Sequence, residues 1–146
     1  MADKVPEEQL NRIYAAMEAG EYEAAIRRSE AFLAAGGDPL LGWELLASAY
    51  IETKQAEKAA MAAQQLALLA HEDAYARFLR ARVRFMQGER ISLIAELEDI
   101  RQRGRHLQPA CREKVCNLLG QCWRFAGDSR RSAEYYQEAA KYADSR

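Results

Sequence analysis

The chain has 146 residues, 21 basic and 22 acidic side chains, and 49% hydrophobic residues. That balance supports one folded domain or a short array of repeats, and excludes intrinsic disorder and collagen-like sequence. The first ten residues are acidic and lack the apolar core of a secretory signal, and the longest dense apolar run, Leu66 to Ala70, is far too short to cross a bilayer.

Apolar residues recur at helical spacing throughout, as in Leu93, Ile94, Leu97 and Ile100, and no segment alternates with period two for long. The spacing predicts about eight helices, roughly 7–19, 21–35, 40–53, 56–71, 73–87, 90–103, 109–126 and 129–144. Pro6, Pro39 and Pro109 stand where the first, third and seventh begin, because proline at a first turn forfeits a donor that has no helical partner. Asp38-Pro39 supplies both a cap and a first helical residue. Gly20, Gly36-Gly37, Gly88, Gly104 and Gly127 follow helical stretches, where a left-handed residue closes the last turn. Gly42 and Gly120 fall inside helical patterns instead.

Self-similarity fixes the expected architecture. The turns between paired helices are Gly20-Glu21-Tyr22, Lys54-Gln55-Ala56, Gly88-Glu89-Arg90 and Gly127-Asp128-Ser129. Their first residues are separated by 34, 34 and 39 positions. Seven residues before each stand Ile13, Ala47, Ala81 and Gly120, mostly small, as close helix approach requires.

In the second unit, Trp43, Leu46-Ala47, Tyr50 and Ala59 follow one another at fixed places; the first unit adds Gly20-Glu21-Tyr22-Glu23-Ala24-Ala25, and the fourth Leu119-Gly120, Trp123, Gly127-Asp128, Tyr136 and Ala139. This pattern resembles the tetratricopeptide repeats, whose helix-turn-helix unit is 34 residues long. The resemblance covers about residues 7–142 and divides the chain into units of about 6–39, 40–73, 74–112 and 113–146. The third unit departs from it: Arg77, Arg80 and Arg84 occupy the places of Trp, Leu and Tyr.

The resemblance implies an all-α fold, a right-handed superhelical α-solenoid of antiparallel helix pairs. It also implies a concave groove, lined by the first helix of each pair, that binds a peptide or protein segment. The residues expected there are Tyr14 and Met17, then Glu44, Ser48 and Glu52, then Tyr75, Phe78, Arg82 and Phe85, then Lys114, Asn117, Gln121 and Arg124. An apolar helical stripe equally serves packing, so Met17, Phe78 and Phe85 stand between groove and core. The carboxylate clamp of some family members resembles a set of Lys, Asn and Arg residues, whereas Leu10, Tyr14, Glu44 and Ser48 stand here; nor is there an asparagine ladder, since Asn11 is followed by Leu45, Leu79 and Leu118.

Charge divides along the chain. Residues 1–73 hold 6 basic and 13 acidic side chains, and residues 74–146 hold 15 and 9. Arg77, Arg80, Arg82 and Arg84, with Arg101, Arg103, Arg105 and His106, form a basic region suited to an acidic peptide, a phosphate-bearing ligand or the acidic end of a second copy. A solvated face without a fixed partner is the plainer alternative. Nucleic acid is disfavoured by the slightly acidic net charge of −1 and the absence of a recognisable reading motif.

Catalytic chemistry has no foothold in the sequence. Cys111, Cys116, Cys122 and His106 lack the spacing of a structural zinc site, and buried thiols are the expected role. Three cysteines cannot all pair within one chain, which points to a reducing, cytoplasmic compartment. No phosphate loop, metalloprotease motif or nucleophilic triad is present, and no cofactor is expected. The reading is a non-catalytic interaction module, with a regulatory or substrate-presenting domain of a larger enzyme, such as a glycosyltransferase, as the alternative. Tyr135, Tyr136 and Tyr142 in the last helix, without a polar capping helix after them, either accept exposure, are covered by another copy, or are followed by more chain, the reading preferred here.

Overall fold

The computed structural model describes residues 4–144, and side chains from residue 7 onward. The described chain is all-helical: α1 (Lys4–Glu18), α2 (Tyr22–Ala34), α3 (Pro39–Glu52), α4 (Ala56–Leu69), α5 (Ala74–Met86), a 3-10 turn (Ile91–Leu93), α6 (Ile94–Arg103), α7 (Pro109–Phe125) and α8 (Ser129–Asp144). No described helix is long and apolar enough to cross a membrane. The described helices fall into two compact units, α1–α4 and α5–α8, divided between His71 and Glu72.

Most expected boundaries fall within a few residues of those seen, for reasons visible at the caps. The Asp38 side chain accepts the Leu41 N–H at 2.9 Å with Pro39 as the first residue of α3, and Asp73 accepts the Ala76 N–H at 2.9 Å to open α5. Two ends differ. Helix α1 starts at Lys4, so Pro6 lies within its first turn, where the missing N–H still costs nothing. The sixth helix begins as a 3-10 turn at Ile91.

The four anchor residues share one backbone geometry. Gly20, Lys54, Gly88 and Gly127 all have positive φ, between 59° and 103°. After each, the next N–H reaches back to a carbonyl five residues earlier: Glu21 to Ala16, Gln55 to Tyr50, Glu89 to Arg84 and Asp128 to Trp123, at 2.8–3.1 Å. This is the bond that closes a Schellman turn. Gly104, by contrast, has φ −92° and is no left-handed cap. It is glycine for space: a Cβ there would meet the Ile100 carbonyl at 2.6 Å and Leu107 at 2.7 Å.

Five residues after the anchors stand Ala25, Ala59, Leu93 and Ser132, all buried. Ile13, Ala47, Ala81 and Gly120, seven residues before, are buried too. Each set marks the contact of one helix with the next. In the fourth hairpin the Ser132 hydroxyl donates to the Gly120 carbonyl at 2.8 Å, so the helices α7 and α8 meet there through two small residues. In the third, leucine replaces the small residue at position 93, and that is where the 3-10 turn lies.

In the first unit, α1 packs on α2, α2 on α3 and α3 on α4. Ile13, Phe32 and Leu45 form a core there with Leu10, Met17 and Leu41 against it. Gly42 is buried where α3 crosses Leu33 of α2, a space that a Cβ would overfill. In the second unit α6 packs on both α5 and α7, and α7 on α8. Its core joins Phe78, Ala81, Leu93, Leu97, Ile100, Val115, Leu118, Leu119 and Cys122. Burial of such side chains contributes about 1.5–3 kcal/mol each, the main force holding each unit together.

Candidate binding cleft

One cleft in the second unit lies between α5 and the start of α7. Tyr75, Phe78 and Arg82 line it from α5, one helical turn apart. Leu107 and Gln108 from the connection before α7, and Ala110, Cys111 and Lys114 from α7, complete it. Its volume is about 340 Å³. Pro109 opens α7 at this point, so Leu107 and Gln108, on the connection just before it, line the mouth of the cleft.

The cleft is apolar with cations at its edge. Phe78, only 1% exposed, is a core residue whose ring forms the floor. The Arg82 guanidinium lies 5.9 Å from the centre of that ring, within cation–π range. Lys114 is exposed on the facing wall. Burial pushes the Cys111 thiol up to about 11, and the positive charges of Lys114 and Arg82 act in the opposite direction. Both cations therefore project their field onto the same wall. An apolar floor under two cations suits a carboxylate attached to an apolar or aromatic group.

Four of the expected groove residues thus meet: Tyr75, Phe78, Arg82 and Lys114. The others are placed as follows. Asn117 is half-buried on α7, with Gln121 and Arg124 exposed further along it. Phe85 packs against the core, and Arg90 lies over its ring at 3.7 Å while also donating to the Phe85 carbonyl. Packing is therefore the role of Phe85, as it is of Met17 against the first unit's core. Glu44 and Ser48 are half-buried on α3, and Tyr14 is 44% exposed on α1. Leu45, Leu79 and Leu118, at the places compared with an asparagine ladder, are buried.

Much of the basic region is internally neutralised. Arg77 is buried and pairs with Glu96 at 3.0 Å and Asp99 at 2.8 Å on α6. Arg84 grips Glu89 through two bonds of 2.8 and 3.0 Å. Arg101 pairs with Glu98 and Glu138, and Arg103 with Asp99. Arg77 ties α5 to α6 and Arg101 ties α6 to α8, while Arg84 and Arg103 pair locally; together these ion pairs engage half of the eight-residue region that charge counting implies.

The cysteines are free. Burial raises Cys116 to about 12, helped by Glu138, and Cys122 to about 11. Such thiols stay protonated at neutral pH and are poor nucleophiles. Among the described residues, no three His, Cys, Asp or Glu side chains converge to hold a metal ion.

Cys111 is the cleft residue that motif reading passed over. Its position three residues before Lys114 places the two on one face of α7, a signal available in the spacing. Leu107 and Gln108 carried no such signal, because only the path of the connection brings them to the rim. No protein-family model matches the chain, and no curated protein matches it in sequence.

Proposed function

We propose that this protein is a non-catalytic helical-repeat module of the tetratricopeptide type. It binds a protein segment that carries an acidic side chain beside an apolar one, and the α5–α7 cleft is the principal contact. The observation that carries this reading is the convergence of Tyr75, Phe78, Arg82 and Lys114 on one apolar cleft with cationic edges. The repeat assignment rests on the 34-residue spacing and on the same left-handed turn at Gly20, Lys54, Gly88 and Gly127. Free, buried cysteines suit a reducing cytoplasmic setting.

Tyr75 offers contact area beside the buried Phe78, and the cations select charge. Desolvated aromatic anchors give most of the affinity at such sites, while edge charges govern encounter and specificity. Selection from a random peptide display library tests the reading. Enriched peptides are expected to share an acidic residue adjacent to an aliphatic or aromatic one, and to bind the R82Q/K114Q variant about tenfold more weakly. Enrichment without acidic residues, or equal binding to the variant, contradicts it.

A further inference from the structure

A second cleft in the same unit has a different chemistry. It is lined by Arg101, Gln102 and Arg105 from α6 and the connection after it, Arg112 from α7, and Glu138, Lys141 and Tyr142 from α8, with a volume of about 650 Å³. Of its charged lining residues, four are cationic and one is anionic. Elements from three parts of the chain thus bring positive charge to one hollow.

The single carboxylate is already engaged. Glu138 accepts from Arg101 at 3.2 Å, from the Cys116 thiol at 3.2 Å and from the Tyr142 hydroxyl at 3.4 Å. Arg101 also holds Glu98 at 3.3 Å, so this arginine is fixed at the back wall. Arg105 and Arg112 differ: among the described residues neither pairs with a carboxylate. Arg112 donates to the Arg105 carbonyl at 3.3 Å and lies over the Tyr142 ring at 4.5 Å. That stack fixes the plane of the guanidinium while leaving it with donors beyond the one used, since a guanidinium carries five.

We propose that this cleft binds a small phosphoryl-bearing molecule, with Arg105 and Arg112 as its direct ligands and Lys141 adding to the field. Guanidinium forks match phosphate oxygens in pairs, and two arginines in one hollow, neither paired with a carboxylate among the described residues, favour a multiply charged anion over a single carboxylate. The polar lining distinguishes this cleft from the apolar one between α5 and α7, so the two sites take different ligands.

Calorimetric titration with pyrophosphate at physiological ionic strength tests the proposal, with ADP and acetate as parallel arms. Saturable binding of pyrophosphate is expected, weakened about tenfold in R105Q/R112Q and unchanged in K114Q. Tighter binding of ADP assigns a nucleotide to the site; equal binding assigns the diphosphate group alone. R105Q, at an exposed connection residue, is the second variant if the double variant fails to fold, and is expected to weaken binding in the same direction. No saturable binding of either phosphate compound overturns the proposal. So does acetate binding as tightly as pyrophosphate, or an unchanged affinity in the folded arginine variants.

Discussion

Arg77 on α5 and Asp99 on α6 form a 2.8 Å ion pair at the position where the repeat pattern calls for an aromatic residue. Glu96, one turn before Asp99, takes the other side of the same guanidinium at 3.0 Å. Ordinarily a first helix meets its partner through apolar contact; here a buried arginine bridges two carboxylates that reach the surface. At this point α5 and α6 are held by an ion-pair bridge as well as by apolar contact.

Replacing Arg77 by methionine keeps much of the apolar stem but leaves Glu96 without its strongest partner. The R77M variant is expected to lose about 2 kcal/mol at neutral pH. The pH dependence has a definite sign. Hydrogen bonding to Arg77 holds both Glu96 and Asp99 below their ordinary carboxylate values of 4.5 and 3.8. Their stabilisation is complete above those ordinary values and disappears as pH falls through the lowered ones. Urea unfolding from pH 7 to 3 should therefore show the gap between wild type and R77M narrowing towards acid; a constant gap refutes the coupling.

Lys54 holds φ 59°, a conformation the equivalent turns give to glycine. The left-handed backbone costs a residue with a Cβ about 1–2 kcal/mol, part of which glycine returns as unfolded-chain entropy. K54G is expected to raise stability by about 0.5–1 kcal/mol, with the urea midpoint moving and the slope unchanged. G127A should move it the other way. Equal midpoints for all three proteins contradict the shared turn geometry.

Gly120 meets Tyr136 across the α7–α8 hairpin, and a Cβ on it would lie 2.8 Å from the ring. Tyr136 is 36% exposed, so its ring has room to move when α7 gains one methyl. G120A is therefore expected to be nearly neutral, the clash offset by about 1 kcal/mol of helix propensity. G120V adds bulk that the ring does not clear and is expected to cost about 2–3 kcal/mol. Thermal unfolding of G120V with and without Y136A checks the pairing: partial recovery supports it, and a simple sum of two losses does not.

Cys111 lies half-buried in the α5–α7 cleft, whereas Cys116 and Cys122 are buried in the folded unit. Alkylation of the native protein at pH 8 should be slow and should reach Cys111 first, since burial holds its thiol near 11. The rate should climb with pH as thiolate forms. Mass mapping of the labelled site decides; primary labelling at Cys116 or Cys122 contradicts the packing described for α7.

The helices were largely legible because their punctuation is local. Asp38-Pro39 caps α3, and Gly20, Gly88 and Gly127 turn as their positions imply. The 34-residue spacing also located Lys54, whose side chain alone gives no hint of a left-handed turn. The cleft was half legible: Tyr75, Phe78 and Arg82 share one face of α5 by their spacing, while Lys114 was placed with them only through the resemblance, and Leu107 and Gln108 arrive through the course of a connection. The basic region was misleading for a physical reason. Counting charges along the chain does not reveal that Glu96 and Asp99 fold back onto Arg77, or that Glu138 on α8 reaches Arg101 on α6.

The most direct test of the binding account is chemical-shift mapping by NMR with a display-selected acidic peptide. Signals of Tyr75, Arg82, Cys111 and Lys114 are expected to move together and saturate at one affinity, with those movements lost in R82Q/K114Q. Saturable binding whose shifts fall elsewhere and leave these four residues unmoved would contradict the assignment of the α5–α7 cleft as the peptide site.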